Sequence, residues 1–210
     1  MQESVSRPRP SESSAGLIVT GLIFGVWMVA IVLSWSQPRK TGAELLVYGD
    51  SIVVGRGIEH RWADMAGASV DAEWGRALAD DPGAASRIIA ASPNQLWIAI
   101  GTNDFGKSKA TPAQFEERYA RLVDEVHRES PLTKIYAQTP LVRRKESPNQ
   151  LGATLPEYRA AIQRVCDARP WLQCVDGQRI LRLEDMPDGL HPGESAQARY
   201  AGYVELMTGE

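Results

Sequence analysis

Three short segments hold residue types suited to nucleophilic acyl chemistry, and they fall well apart along the chain. The first, Leu45-Leu46-Val47-Tyr48-Gly49-Asp50-Ser51, ends an apolar run with a serine in a glycine-containing turn. A strand fixes the base of such a serine and a loop leaves its hydroxyl accessible, which suits a nucleophile. Gly-Asp-Ser is also an ordinary turn sequence, so the serine gains meaning only from partners. A nucleophilic serine needs a base, and the base needs an orienting group. Asp188-Gly189-Leu190-His191-Pro192 offers both, because Asp188 can bond one ring nitrogen of His191 and leave the other for Ser51. An attacked carbonyl also needs donors for its developing oxyanion. The N–H of Ser51, the N–H of Gly75 in Glu73-Trp74-Gly75-Arg76, and the side-chain amide of Asn103 in Gly101-Thr102-Asn103-Asp104 can supply three. Glycine suits the second position because no Cβ obstructs close approach to its backbone.

These residues must be delivered by a framework. From Leu45 onward strands and helices alternate. Strands are expected over Leu45–Tyr48, Ser69–Trp74, Gln95–Ile100, Lys134–Gln138 and Leu172–Val175. Helices are expected over Ile58–Met65, Pro82–Ala91, Pro112–Glu129, Leu155–Ala168 and Glu194–Met207. Thr111 is placed to cap the third helix and Pro112 suits its first turn. Phe115, Tyr119, Leu122 and Val126 recur along it at helical spacing. The alternation predicts an α/β fold: a three-layer, flavodoxin-like domain with about five parallel strands. In such sheets ligands sit beyond the carboxyl ends of the strands. With strand order 2-1-3-4-5, Gly75, Ser51 and Asn103 would stand side by side at one crevice.

Other residues invite less. Asp124 and His127 repeat the Asp-x-x-His spacing, but inside the long amphipathic helix, where three-residue neighbours are routine. His60 stands between Glu59 and Arg61 on an expected helix and reads as surface. Arg143-Arg144-Lys145 lies in the loop after the fourth strand, either as a solvated basic loop or as a clamp for an anionic group. Trp74 and Phe105 flank the oxyanion candidates, as pocket walls or as core. The sequence contains no metal-ligand cluster, phosphate-binding loop or dinucleotide fingerprint, so neither metal nor cofactor is expected.

The chain has 210 residues and a net charge of −3, with 43% hydrophobic and 23% charged residues, as in a folded protein. Residues 41–210 carry 19 basic and 24 acidic side chains, which gives no support to nucleic-acid binding. Residues 1–15 are rich in Ser, Pro and Arg and read as disordered. Gly16–Ser36 is 21 residues without a charge, long enough for a transmembrane anchor. It exceeds the usual core of a cleaved signal, and Ser34-Trp35-Ser36 is a poor cleavage site. Residues 37–44 form a short linker, and 45–210 the main domain. Cys166 and Cys174 permit a disulfide across a helix–strand junction; two buried thiols are the alternative. A disulfide would favour the extracytoplasmic side. Basic residues on both flanks of the span leave orientation open.

The three motifs, in this order on an α/β pattern, resemble the SGNH hydrolases, also called GDSL-type esterases and lipases. The resemblance spans nearly all of residues 45–207. Gly49-Asp50-Ser51 is similar to the family's first block, which holds the nucleophile. Gly101-Thr102-Asn103-Asp104 is similar to the block whose asparagine is an oxyanion donor. Asp188-Gly189-Leu190-His191-Pro192 is similar to the block carrying acid and base. Gly75 follows Glu73-Trp74, where the family usually has an asparagine-rich context. The absence of G-x-S-x-G sets the chain apart from α/β-hydrolases. The resemblance implies an ester substrate and catalytic Ser51, Asp188 and His191, with Ser51, Gly75 and Asn103 as oxyanion hole. The compact domain, without a large lid insertion, points to short acyl groups such as acetyl. Acyl transfer to an envelope glycan and a non-catalytic envelope binding module are the alternatives.

Overall fold

Segments of four or five residues become the strands of one parallel sheet in the computed structural model, which describes residues 43–54 and 68–209. The strands are β1 (Leu45–Gly49), β2 (Ala68–Ala72), β3 (Gln95–Ala99), β4 (Lys134–Gln138) and β5 (Leu172–Val175), in the order β2-β1-β3-β4-β5. Among the described residues the α-helices are α1 (Ser51–Val54), α2 (Ala84–Ala91), α3 (Thr102–Gly106), α4 (Pro112–Glu129), α5 (Leu155–Asp167) and α6 (Glu194–Thr208). Leu45 pairs in register with Ala68 on one side and Gln95 on the other, and Gly49 with Ala72 and Ala99. The carboxyl ends of β2, β1 and β3 therefore lie level.

Side chains alternate between the two faces of each strand. Leu46, Tyr48, Leu96, Ile98 and Ile135 pack with residues of α2, α4 and α5. Leu45, Val47, Trp97, Tyr136 and Val175 pack on the other face, where α6 contributes Tyr200 and Val204. Both faces of β1, β3 and β4 are covered, so their centres read as apolar runs, whereas the outer strands β2 and β5 stay partly exposed and mix polar residues in. Each large side chain fully buried here contributes roughly 1.5–3 kcal/mol. Two polar atoms buried on the α6 face share one acceptor: Trp97 Nε1 and Tyr200 Oη both donate to Gln138 Oε1, at 2.9 and 2.6 Å.

Local chemistry sets the helix starts. Thr111 Oγ1 accepts from Gln114 N and Gln114 Oε1 accepts from Thr111 N, a reciprocal box with Pro112 in the first turn of α4. Cys166 near the end of α5 is joined to Cys174 in β5 by a disulfide.

Some boundaries differ from those expected. β2 stops at Ala72 instead of Trp74, because Trp74 and Gly75 turn the chain back, with Gly75 at φ 75°. α2 begins at Ala84, two residues later than expected. α1 and α3 were not anticipated; each is a single short turn placed directly after a strand. The N-terminal segment, the span Gly16–Ser36, residues 37–42 and the helix expected over Ile58–Met65, with His60, lie outside the described residues. Among the described residues no helix is long and apolar enough to cross a membrane.

Candidate active site

Gly49 lets the chain leave β1 and enter α1 without a gap. A Cβ there would lie 2.4 Å from Val53 Cγ2 and 3.0 Å from Ala99 O, so the turn fits only glycine. Asp50 then caps α1: its carbonyl accepts from Val53 N and Val54 N, and its Oδ1 accepts from Ile52 N at 2.9 Å. Ser51 is thereby fixed as the first residue of the helix. It is buried, unlike the exposed loop hydroxyl expected from the sequence.

Ser51 Oγ lies 3.0 Å from His191 Nε2, across 140 residues of chain. His191 Nδ1 lies 2.7 Å from Asp188 Oδ2. The carboxylate favours the tautomer with its proton on Nδ1, which leaves Nε2 to accept from the Ser51 hydroxyl. Asp188 Oδ1 accepts from Leu190 N at 2.9 Å and from His191 N at 2.7 Å, so the loop is wound around the carboxylate. Slight burial works against the Asp188 charge. The His191 N–H, the imidazole and the Leu190 N–H outweigh it and hold the carboxyl well below the usual carboxylate range. Ser51, His191 and Asp188 are thus brought together in one hydrogen-bonded line.

Gly101, at φ 117°, starts α3 in a conformation that L-residues rarely adopt; a Cβ would also meet Phe115 Cζ at 2.9 Å. The resulting turn brings in Asn103, whose Nδ2 is buried without a hydrogen-bond partner. The amide is close enough to the Asp50 carboxylate to favour its charged form, but outside hydrogen-bond geometry. Nδ2 is therefore free to donate elsewhere. A buried donor without a partner carries a desolvation cost that a ligand oxygen would relieve. Gly75 sits in the turn after β2, and Lys107 Nζ donates to its carbonyl at 2.7 Å.

Two buried acids lie under these donors. Asp104 accepts from Leu78 N and Ala79 N, both at 2.9 Å, and so ties α3 to the segment that follows Gly75. Burial pushes its carboxyl up, against the pull of those two N–H groups. Burial likewise pushes Asp50 up from 3.8 to about 7, opposed by the Ile52 N–H and reinforced by the Asp104 charge. Asp50 Oδ2 is buried without a partner.

The loop after β4 closes another side. Arg144 N donates to Gly189 O at 2.7 Å, holding the loop of Asp188 and His191. Arg159, only 6% exposed, donates to Pro140 O and Leu141 O and pairs with both oxygens of Glu146. The Trp74 ring stands 5.3 Å from that of His191 and is half exposed, whereas Phe105 is core, packed edge-on to Tyr158.

Asp124 and His127 are not brought to this site. Asp124 takes both of its oxygens to Arg169, and His127 stacks flat on Trp171 at 3.9 Å. Among the described residues no group of three or more His, Cys, Asp or Glu side chains is placed to hold a metal. Lys107, Asp104 and Arg159 were not picked out from the sequence. Only Asp104 carried a signal, as the last residue of the Gly-Thr-Asn-Asp turn.

The arrangement can hold an ester carbonyl between a paired serine hydroxyl and a buried amide donor. Solved structures share the fold. A GDSL-like lipase from Bacteroides thetaiotaomicron is 15% identical, with 83% of this chain and 91% of that chain covered and a TM-score of 0.67. A lipase/acylhydrolase from Enterococcus faecalis is 19% identical, with 79% and 95% covered and a TM-score of 0.61. A salicylyl-acyltransferase from a tetracycline biosynthetic pathway is 19% identical, with 77% and 52% covered and a TM-score of 0.64. No curated protein matches the chain in sequence. The family model described as GDSL-like Lipase/Acylhydrolase matches residues 47–199, from within β1 to within α6, and the chain belongs to that family.

Proposed function

We propose that the chain is a membrane-anchored serine esterase that hydrolyses carboxylic esters with short acyl groups such as acetyl. The observation that carries this reading is the hydrogen-bonded line from Ser51 Oγ through His191 to Asp188, together with an unpartnered Asn103 amide near Asp50, the neighbour of Ser51 in the chain. His191 Nε2 takes the hydroxyl proton as Ser51 Oγ bonds to the ester carbon. The carbonyl oxygen becomes an oxyanion, received by Asn103 Nδ2 and the N–H groups of Ser51 and Gly75. Asp188 orients the ring and stabilises the imidazolium. His191 then protonates the departing alcohol, leaving an acyl-serine. A water, deprotonated by the same nitrogen, adds to the acyl carbon and releases the acid.

The anchor is read from the uncharged run Gly16–Ser36. The Cys166–Cys174 disulfide supports a catalytic domain on the extracytoplasmic side, since such bonds persist in oxidising compartments. Acyl transfer to a sugar or another alcohol is the second reading, because the same acyl-serine serves either acceptor. The likeness to an acyltransferase fold favours keeping it.

Labelling with a fluorophosphonate serine probe tests the nucleophile. The parent chain is expected to label and Ser51→Ala to lose the label; a label that persists in that variant refutes the assignment. Turnover of 4-nitrophenyl acetate, lost in His191→Ala, separates an enzyme from a binding module. A reporter fused to the C-terminus reads the side of the membrane.

A further inference from the structure

Arg143 lies beside the candidate site and makes no ion pair among the described residues; Glu146 and Asp50 are its acidic neighbours. Its guanidinium lies over the Phe105 ring, 5.4 Å from the centroid, and its Nε is buried without a hydrogen-bond partner. Its Nη1 packs against Gly106 so closely that a Cβ there would lie 3.0 Å away. Gly106 and Phe105 belong to α3, the same turn that carries Asn103. Of the two acids, Glu146 gives both oxygens to Arg159 and accepts from the backbone N–H of Arg143, not from its guanidinium. Among the described residues no carboxylate pairs with Arg143. Burial makes the charge costly, shown by a guanidinium pKa driven below its ordinary value.

A cleft of about 390 Å³ opens at this point, lined by Phe105, Gly106, Arg143, Lys145, Ser147 and Asn149 among others. Its lining holds two cations and no acid. Serine and amide side chains share its wall with Phe105 and Pro148, it has room for a small ionised group, and its arginine carries a buried nitrogen without an acceptor. Charge-assisted bonds to a guanidinium favour carboxylate and phosphate, which match its planar fork.

We infer that Arg143 and Lys145 form an anion subsite next to the oxyanion donors, so that the preferred ester carries a carboxylate or phosphate group near its scissile carbonyl. This rests on the esterase reading and narrows it to a substrate class. An anion bound there accepts from Arg143 and is seated by Lys145 at the mouth. The carbonyl then lies toward Asn103, within the same turn of chain.

Two matched pairs of esters test it on the full-length protein. Mono-(4-nitrophenyl) succinate against 4-nitrophenyl butyrate places a carboxylate on the acyl side. 2-Acetoxyethyl phosphate against 2-hydroxyethyl acetate places a phosphate on the alcohol side. The readout is the ratio of kcat/KM, anionic over neutral, within each pair. In the parent one ratio exceeds unity, and the pair concerned identifies the side. Arg143→Gln lowers that ratio by about 10-fold or more, the scale of one lost charge-assisted bond. Lys145→Gln lowers it less, Arg143→Lys retains part of it, and the remote Arg121→Gln leaves it unchanged. Turnover of neutral esters with both ratios at or below unity, or an undiminished ratio in Arg143→Gln, overturns the subsite alone. Turnover of no ester in either pair overturns the esterase reading, and the subsite with it.

Discussion

Replacing Asp50 by asparagine isolates the cost of a carboxyl buried at the turn that carries Ser51. Asp50 is fully buried, its Oδ2 has no partner, and its carboxyl is pushed from 3.8 to about 7. Between those two values the native state keeps a proton that the unfolded chain has released. Stability therefore falls as pH rises through this window and levels off above it. At about 1.4 kcal/mol per tenfold change in proton affinity, the full loss is about 4 kcal/mol at pH 8. Asparagine has no proton to exchange, so Asp50→Asn lacks this slope. The amide brings a fixed cost or gain where it replaces Oδ2, and that offset does not vary with pH. The difference in unfolding free energy between variant and parent should move in the variant's favour by about 4 kcal/mol from pH 4 to pH 8. Urea unfolding followed by tryptophan fluorescence at half-unit pH steps measures it. A difference that stays flat across this range would refute the reasoning: Asp50 would then be ionised throughout, held by Arg76 and Arg143.

Three further outcomes follow from the geometry. Asn103→Ala should lower kcat for 4-nitrophenyl acetate by about 100-fold or more with KM little changed, because the lost donor acts on the oxyanion; an equal effect on KM alone would count against it. Cys166→Ser should destabilise the native state by about 2–3 kcal/mol in urea titrations, the loop-closure effect for a separation of 8 residues. Arg159→Met should cost about 3–5 kcal/mol by the same assay, since it leaves Glu146 and two loop carbonyls without their partner. A cost below 1 kcal/mol would show that the loop after β4 does not depend on this pairing.

The elements that stood out in the sequence are those fixed by local rules. β4 and β5 match their expected bounds, β4 around the apolar centre Ile135-Tyr136-Ala137 and β5 with Leu172 and Val175 buried at its two ends. α4 starts where Thr111-Pro112 places it, since cap and proline act within one turn. Asp188 and His191 were legible because their contact spans three residues and the folded loop preserves it. What escaped depends on distant contacts. Arg159 looks like an ordinary helix cation until Pro140 and Leu141 fold their carbonyls onto it. Lys107 has no signal at all, for its partner is the backbone of Gly75, 32 residues away. α1 was invisible because four residues have no periodicity, and their helical turn is imposed by the Asp50 cap. The roles assigned to Asp124 and His127 show the converse: a catalytic-looking spacing on a helix was rightly set aside, and Arg169 and Trp171 claim the pair.

The carboxylate of Asp104 has a consequence for how this chain tolerates change. It grips the N–H groups of Leu78 and Ala79 from within the turn that presents Asn103. The turn that carries Asn103 and the segment that follows Gly75 are therefore pinned to one side chain. Reshaping the pocket by directed evolution should find productive variants at the half-exposed Trp74 and the cleft-mouth Lys145, each of which can vary alone. Variation at Asp104 should be barren, because any replacement releases both segments together. The practical boundary of engineering in this domain thus runs between its rim and a pin buried one layer below.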